Sequence, residues 1–291
     1  SAPIVLFFEP QNLLQTQLLL CAHALTLVAL GQSLTADHVL RFQDLLPHAS
    51  YELATYALAE LFTRKDEAEI AELRKAGQAI DAVHAQVPKL LQPGRTEAEV
   101  AQELEELILQ EHTVIDFVIV GSGPNGANPH HSFSDRVLAE GEPVVVDIGG
   151  TLPSGYHSDC TRTYVVGGDV SKAPQDFQDA YAVLADAQAA ARAAAHPGST
   201  AADIDAITRQ AISAAGWGDY FVHRTGHGIG LSTHEEPFIM EGNDLALEEG
   251  MAFSIEPGIY VEGKWGMRLE DIVVLTSDGY ESLNLAPREV R

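Results

Sequence analysis

A pattern of two helices joined by a proline-glycine turn occurs twice in this sequence, and it constrains the fold more than any other feature. In the first copy, an amphipathic segment over 66–89 is followed by Pro93-Gly94-Arg95-Thr96 and a second helical pattern. In the second copy, an alanine-rich segment over 179–196 is followed by Pro197-Gly198-Ser199-Thr200 and another helical pattern. Each threonine stands where a helix N-cap is expected. An internal duplication predicts two pseudo-symmetric halves of mixed helix and strand.

A strand pattern follows the helices in each copy. It covers Val114–Val120 in the first copy and the shorter stretch Tyr220–Val222 in the second. Each half is therefore expected to contribute strands to a shared sheet. Binding sites tend to form where such halves meet, so the residues near the strands are the first place to look for chemistry.

The composition changes at Thr63, where charged, helix-favouring residues begin. We therefore predict a small N-terminal domain over 1–62 and a larger domain over 63–291. The first domain carries no motif; Ser1–Phe8 is compatible with a strand and Ala49–Phe62 with an amphipathic helix.

The composition also argues against several classes of partner. The chain has 42 acidic and 17 basic residues, a formal net charge of −25, which repels phosphate backbones and anionic membranes, so neither nucleic acid nor a membrane is expected. Only Cys21 and Cys160 occur, which argues against a disulfide framework and favours a cytoplasmic setting. The apolar run Leu13–Leu30 follows no basic residue and is shorter than the ~20 residues of a membrane span, so we expect it to be buried in the first domain.

Two β-branched runs predict a hairpin with a carboxylate on each strand. Asp147 ends the run Val144–Val146, Asp159 opens the next run, and a turn-rich segment joins them. Either aspartate alone fits an N-cap or a turn, but two carboxylates side by side in a core are unfavourable unless a cation lies between them. Strand alternation directs Cys160 to the opposite face from Asp159, so a buried structural role is expected for its thiol rather than nucleophilic chemistry.

Three histidines occur in one glycine-rich segment, His223, His227 and His234. The glycines on both sides of His227 allow other backbone to approach the imidazole closely. The spacing does not match the two-histidine helical zinc motif. A single histidine is usually structural, whereas three in one such segment favour a site.

Two later strand patterns carry glutamates among apolar residues. The stretch 251–258 predicts a buried strand ending on Glu256, and 267–274 predicts one strand with Arg268 and Glu270 on one face and Asp271 on the other. Carboxylates in such surroundings are poor candidates for solvated charges.

These carboxylates and one imidazole form a ligand set suited to two divalent cations. Carboxylate-rich ligation favours Mn, Co or Zn, and two of the carboxylates must bridge the ions. Water shared by two such ions ionises near neutral pH and attacks a carbonyl carbon. The sequence therefore predicts a dinuclear metallohydrolase, with these metal ligands: Asp147, Asp159, His227, Glu256 and Glu270.

The order Asp, Asp, His, Glu, Glu in these local sequences resembles the pita-bread metallopeptidases (family M24), which include methionine aminopeptidase, aminopeptidase P, prolidase and creatinase. The resemblance covers residues 66–287. It implies an α+β pita-bread (creatinase/aminopeptidase) fold, with two pseudo-symmetric halves around a curved antiparallel sheet, plus a small N-terminal α/β domain. The stretches Ser254–Tyr260 and Gly266–Asp271 look like the proline-specific branch, which contains Xaa-Pro dipeptidase (prolidase) and aminopeptidase P.

The resemblance also implies how the metal ligands act. Asp159 and Glu270 would bridge both ions, Asp147 would hold one of them, and His227 with Glu256 would hold the other. Glu256 would in addition transfer a proton from the bridging water to the leaving nitrogen.

Four further residues are implied to contact the substrate. His234 would stabilise the gem-diolate, and His223 would line the proline pocket. His130 would face the substrate, with His131 as the alternative. Arg268 would either approach the carboxylate of a dipeptide or merely orient Glu270.

The implied activity is hydrolysis of Xaa-Pro dipeptides by attack of a metal-bridging hydroxide, in a homodimer. Aminopeptidase P activity on longer Xaa-Pro peptides is the alternative, because aminopeptidase P also carries an arginine at the position of Arg268. The first 62 residues are fewer than the N-terminal domain of this branch usually has, which is compatible with either a blocked or an open cleft. Methionine aminopeptidase activity and a non-catalytic binding module of the same fold are the remaining alternatives.

Overall fold

A computed structural model of the chain describes residues 4–5, 26–31, 34–54 and 58–291. The chain divides into two compact units, Ser1–Phe62 and Thr63–Arg291. Within the described ranges, every helix is too short or too polar to cross a lipid bilayer.

The first unit contains a small parallel sheet and a helix. Phe42 of the helix is buried with Val28 and Leu30 of the middle strand. The strands follow the order β1-β2-β3. The elements are β1 (Ile4–Val5), β2 (Leu27–Leu30), α1 (Ala36–Leu45) and β3 (Ser50–Leu53), and the short helix α2 (Ala59–Thr63) leads into the second unit.

One expectation for this unit is wrong, and two others concern residues that are only partly described. The helix predicted over Ala49–Phe62 is wrong at its start, because Ser50–Leu53 pairs with β2 as a strand. The Tyr51 hydroxyl donates to Phe42 O at 2.7 Å, so this half-buried strand residue packs against the α1 helix. Of Ser1–Phe8 only β1 is described; Cys21 and most of the apolar run 13–30 lie outside the described residues.

The second unit contains five α-helices and ten strands among its residues, all of which are described. The helices are α3 (Glu67–His84), α4 (Val87–Leu90), α5 (Glu97–Ile108), α6 (Gln175–Ala194) and α7 (Ala201–Ala214). The strands are β4 (Val114–Ser122), β5 (Pro143–Thr151), β6 (His157–Val165), β7 (Gly226–Gly228), β8 (Glu235–Ile239), β9 (Ala252–Ile255), β10 (Gly258–Val261), β11 (Trp265–Arg268), β12 (Asp271–Thr276) and β13 (Gly279–Ser282).

The two copies of the predicted repeat adopt the same local structure. Thr96 and Thr200 each accept a hydrogen bond from the third residue of the following helix, and that residue's carboxylate accepts one from the threonine amide. Gly94 N donates to Leu138 O at 3.0 Å, and Gly198 N donates to Leu247 O at 2.9 Å. Each proline-glycine turn therefore holds a later segment of its own half in the same way.

Two predicted strands differ from the observed ones. Tyr220–Val222 is not a strand: Tyr220 ends a 3₁₀ turn, Val222 is 63% exposed, and the first strand after these helices is β7. The stretch 267–274 is two strands, because β11 pairs with β10 whereas β12 pairs with β9 and β13. Glu270 lies in the break between them, where its amide donates to Thr161 O at 3.2 Å.

Antiparallel sheets in the two halves direct their polar faces towards one site. The hairpin predicted over 144–166 is confirmed as β5 and β6, which form a sheet of order β4-β5-β6. Val144, Val146 and Ile148 face a core packed by the α3 and α5 helices, so alternation turns Asp147 to the other face. The second half contributes a sheet of order β13-β12-β9-β7-β8.

Candidate metal centre

Asp147 and Asp159 come from neighbouring strands of the β5–β6 hairpin. Asp147 pairs with Thr161, and Gly149 pairs with Asp159, so the two aspartates stand on the same face one step apart along the strands. Both side chains are buried, with 8% and 4% of each residue exposed. Cys160, on the opposite face, is buried in the helix-packed core, as the sequence predicts.

The other three predicted metal ligands come from the second half. His227 is the middle residue of β7, Glu256 directly follows β9, and Glu270 lies between β11 and β12. One ligand atom each of Asp159, His227 and Glu270 lies within 4.8 Å of the others. His227 Nε2 is 3.2 Å from Glu256 Oε1 and 3.7 Å from Asp159 Oδ2.

The glycine before His227 is required by a close approach between strands. A Cβ placed on Gly226 would lie only 1.9 Å from Ser254 O, so any side chain there would separate β7 from β9. Ser254 also fixes both neighbouring ligands: its hydroxyl accepts from His227 N at 2.9 Å and donates to Glu256 Oε1 at 3.0 Å.

The cluster has more negative charge than the surrounding side chains compensate. The cluster contains four carboxylates. Among the described residues, the positively charged or ionisable groups that contact them are the guanidinium of Arg268 and the imidazoles. Three buried side-chain oxygens of the described residues receive no hydrogen bond, and two of them are Asp147 Oδ1 and Glu270 Oε1. Buried carboxylate oxygens without donors are unfavourable, so this arrangement fits divalent cations bound among these side chains.

The same crowding shifts the pKa values of the carboxylates. Burial, followed by the charge of Glu270, raises the pKa of Asp159 well above its ordinary value. Burial, followed by the charge of Glu256, raises the pKa of Glu270 in the same direction. Burial would also raise the pKa of Glu256, but its hydrogen bond to His227 and the neighbouring positive charges lower it overall. Like charges held together in this way are typical of a cation site.

Arg268 donates hydrogen bonds to several groups of this chain, which limits its ability to bind the carboxylate of a dipeptide. Its Nη2 donates to Asp147 Oδ2 and its Nε to Thr161 Oγ1 at 3.0 Å. Its Nη1 donates to the Tyr260 hydroxyl at 2.8 Å and to Pro129 O at 3.3 Å. Four of the five guanidinium N–H groups therefore have partners within this chain.

The sequence reasoning did not identify Thr161 and Tyr260. Thr161 donates to Glu270 Oε2 at 2.8 Å while accepting from Arg268, and the Tyr260 hydroxyl hydrogen-bonds to His223 Nε2 at 2.9 Å. Alternation along β6 could have indicated Thr161, two residues beyond Asp159 on the same face. Tyr260 is 37 residues from His223 in sequence, so no local signal links them.

A cavity of about 1000 Å³ opens onto this cluster. Glu270 lies deeper, and the other eight predicted site residues line the cavity wall: His130, Asp147, Asp159, His223, His227, His234, Glu256 and Arg268. The His234 ring lies 4.1 Å from the His227 ring. Burial, followed by the charge of His227, lowers the pKa of His234 to about 4, which keeps its imidazole neutral at neutral pH.

The two adjacent histidines at 130 and 131 have different surroundings. His130 is exposed at the cavity wall. His131 Nε2 lies 2.9 Å from Glu97 Oε2, and that fully buried carboxylate also accepts from Ser122 N at 2.8 Å. His131 therefore belongs to the packing of the first half, which leaves His130 available to a bound molecule.

Comparisons with known proteins agree with this geometry. A model described as metallopeptidase family M24 matches residues 71–277. A probable dipeptidase PepE of Mycobacterium tuberculosis is 55% identical over 263 residues, which are 90% of this chain and 69% of the relative. A Xaa-Pro dipeptidase of Lactobacillus delbrueckii subsp. lactis is 42% identical over 238 residues, which are 80% of this chain and 63% of the relative.

The solved structure of dipeptidase PepE from Mycobacterium ulcerans matches with a TM-score of 0.87 and 51% identity, over 94% of this chain and 73% of that chain. The mixed helices and antiparallel sheets of the second unit are those of the pita-bread fold, as the resemblance implies.

Proposed function

This chain belongs to metallopeptidase family M24, and on that premise we propose that it is a dinuclear Xaa-Pro dipeptidase. The observation that carries the proposal is the buried carboxylate cluster, with two oxygens lacking donors in the described part of the chain, at the wall of a cavity. The names of the relatives, dipeptidase and Xaa-Pro dipeptidase, support the substrate class.

We propose two divalent ions, Mn, Co or Zn, as the cofactor. Asp159 and Glu270 would be the shared ligands of both ions, a role supported by the proximity of their ligand atoms to each other and to His227. Asp147 would be a further ligand of one ion, and His227 and Glu256 would be further ligands of the other ion. When bound, the ions supply Lewis acidity and make a water molecule acidic enough to act as a nucleophile near neutral pH.

Glu256 is the proposed proton carrier. Ser254 and His227 fix its Oε1, while its Oε2 lies 3.9 Å from Arg268 Nε. Its lowered pKa keeps the carboxylate ionised at neutral pH, which is the form that can accept a proton. It would then return that proton to the proline nitrogen, which becomes a good leaving group only when protonated.

His234 and His130 are the proposed substrate contacts on the cavity side. Because the pKa of His234 is lowered to about 4, its neutral imidazole can donate a hydrogen bond to the oxygen of the tetrahedral intermediate without itself carrying a charge. His130 is exposed at the same cavity and would contact the substrate backbone.

His223 would line the proline pocket, with support from two rings. Its Nε2 hydrogen-bonds to the Tyr260 hydroxyl, and the Phe221 ring stands edge-on at 5.3 Å between centroids. Aromatic and imidazole faces of this kind suit the compact apolar ring of proline.

One observation favours aminopeptidase P as the second candidate. A dipeptide presents its free carboxylate next to the proline, and a guanidinium would be the natural partner for that charge. Arg268 already donates to four groups of this chain, so in our proposal it orients Asp147 and, through Thr161, Glu270. A substrate extended beyond proline would not need that guanidinium.

The test compares a Xaa-Pro dipeptide with the corresponding Xaa-Pro-Yaa tripeptide, using protein loaded with Mn, Co or Zn and checked by elemental analysis. We expect faster hydrolysis of the dipeptide and two metal ions per chain. Tripeptide turnover ten times faster would replace the proposal with aminopeptidase P. Release of methionine from Met-Ala-Ser would support methionine aminopeptidase, and protein that neither binds metal nor cleaves peptides would support a binding module.

We also propose a cytoplasmic homodimer. The low cysteine content supports a reducing compartment. Sedimentation of the metal-loaded protein should give twice the mass of the 31.3 kDa chain, and a monomer mass would contradict the dimer.

A further inference from the structure

A β-bulge turns an additional carboxylate into the cavity. The register of β4 against β5 shifts between Ile115 and Phe117, which pair with Gly150 and Gly149 respectively. Ile115 packs against the helix-covered core, and Ile115, Asp116 and Phe117 all line the cavity. Asp116 is thus the extra residue of a bulge, a device that commonly re-aims a side chain next to an active site.

Two side chains on the adjacent strands hold this carboxylate in place. Thr151 Oγ1 donates to Asp116 Oδ1 at 2.7 Å, and His157 Nδ1 lies 2.6 Å from Asp116 Oδ2. Thr151 and His157 are themselves a cross-strand pair of β5 and β6. A carboxylate offers about four acceptor positions, so Asp116 can accept further hydrogen bonds from a molecule in the cavity.

An aromatic ring lies between this carboxylate and the metal cluster. A Cβ placed on Gly149 would lie 2.6 Å from ring atoms of Phe117, so the ring covers the backbone next to Asp159, the cross-strand partner of Gly149. The wall that leads from the cluster towards Asp116 is therefore apolar first, and its far end carries the Asp116 carboxylate with one oxygen paired to His157.

The strand register shows on which side of the metal cluster Asp116 lies. Along one face of β6 the residues are Thr163, Thr161, Asp159 and His157, each about 7 Å from the next. Arg268 bonds to Thr163 and Thr161 at one end of this row, and Tyr260 joins Arg268 to His223 there. Asp116 contacts His157, at the opposite end.

This arrangement orients a Xaa-Pro substrate, if the proposed function is correct. With proline beside His223 and the scissile bond at the carboxylate cluster, the first residue must extend past Phe117 towards Asp116. A lysine or arginine side chain spans about 7 Å, the distance of two residues along a strand. A shorter or apolar side chain would end over the ring of Phe117.

We propose that Asp116, held by Thr151 and His157, is a specificity-determining residue that favours a cationic first residue of the substrate. Its carboxylate would accept hydrogen bonds from the guanidinium or ammonium group of that residue. Glu105 and Arg224 line the same cavity with opposite charges, so it is Asp116 itself that disfavours a first residue with a carboxylate.

The test compares Arg-Pro, Met-Pro and Glu-Pro, whose first residues have unbranched side chains of different charge, on metal-loaded protein and on Asp116→Asn. For the unmodified protein we expect kcat/KM for Arg-Pro to exceed that for Met-Pro by about tenfold, the size expected for one charge-assisted hydrogen bond, and Glu-Pro to be the poorest. In Asp116→Asn, Arg-Pro should fall to about the level of Met-Pro, which itself changes little.

Glu111→Gln is the matched control, because it removes the same charge from an exposed position outside this cavity; its ratio of Arg-Pro to Met-Pro should equal that of the unmodified protein. If Asp116 only stabilises the pairing of β4 with β5, Asp116→Asn should have a lower melting temperature, and its kcat/KM should fall by the same factor for all three substrates. That result would overturn the proposal. An unmodified protein that prefers Glu-Pro would overturn it too. Failure to hydrolyse any Xaa-Pro substrate would reject the proposed function, and this inference with it.

Discussion

Two adjacent residues, Glu270 and Asp271, are both buried carboxylates, yet their surroundings are opposite. Asp271 is surrounded by positive charge: its oxygens lie 2.8 Å from Arg162 Nη2 and 2.6 Å from Arg288 Nε. Gln188 also donates to it at 2.8 Å. The Glu270 side chain receives one hydrogen bond, from Thr161, and the charges of Glu256 and Asp147 raise its pKa further.

The difference separates a structural charge from a functional one. A buried carboxylate that has its counter-ions within the chain stabilises the fold, and removing it leaves those counter-ions unpaired. A buried carboxylate placed among like charges destabilises the metal-free fold and is favourable only when a cation binds. Burial alone therefore does not distinguish these two carboxylates, whereas the lack of a compensating charge at the Glu270 side chain does.

The largest expected effect comes from removing the functional member of the pair. Glu270→Gln should lower peptidase activity by about three orders of magnitude, because it removes a proposed ligand of both metal ions. The metal-free variant should be at least as stable as the metal-free parent, since a repelled charge is gone. Activity assays, elemental analysis and urea denaturation measure these outcomes; a variant with full metal content and activity would contradict the comparison.

Removing the structural member should have the reverse effect. Asp271→Asn leaves the guanidinium groups of Arg162 and Arg288 without their carboxylate, so the free energy of unfolding of the metal-free protein should fall by about 3–5 kcal/mol. The fraction that remains folded should still bind metal. Loss of metal without loss of stability would show that the two carboxylates are not distinguished as we describe.

A smaller effect is expected for the residue that positions Glu270. Thr161→Val removes the hydroxyl that bonds both Glu270 and Arg268, and metal affinity should fall by about 10–100-fold. Thr163→Val is the control on the same strand, because its hydroxyl contacts only the backbone of Arg268. Calorimetric titration should show a change of less than about threefold for the control; equal losses in both variants would contradict the role of Thr161.

The smallest effect is a difference in pH dependence. Burial and neighbouring carboxylates raise the pKa of Glu270 in the metal-free folded protein. Folding then takes up a proton at this group, so its contribution to stability is present below the unfolded pKa, about 4, and is lost as the pH rises towards the folded value.

Melting temperatures of metal-free protein between pH 4.5 and 7 should therefore decline less in Glu270→Gln than in the parent. An identical decline in the parent and in Glu270→Gln would contradict the raised pKa.

The sequence alone predicts the structure correctly where a local pattern of residues determines the local structure. The proline-glycine turns with their capping threonines predict the duplicated helices, and the β-branched runs around Asp147 and Asp159 predict the hairpin. The resemblance then brings in residues from the other half, which spacing could not place beside them.

The sequence alone does not predict the structure where contacts between distant parts of the chain determine it. The break at Leu269–Glu270 arises because β11 and β12 pair with different strands, and no residue type in 267–274 signals it. The engagement of Arg268 by Tyr260 and Pro129 depends on tertiary packing. The bulge at Asp116 depends on register against β5, and a strand pattern over Val114–Val120 does not reveal it.

Anomalous diffraction from crystals of the Mn-loaded protein tests the central claim most directly. The account predicts two Mn peaks about 3.5–4 Å apart, with Asp159 and Glu270 contacting both and Asp271 contacting neither. A single peak, or metal bound away from Glu270, would contradict it.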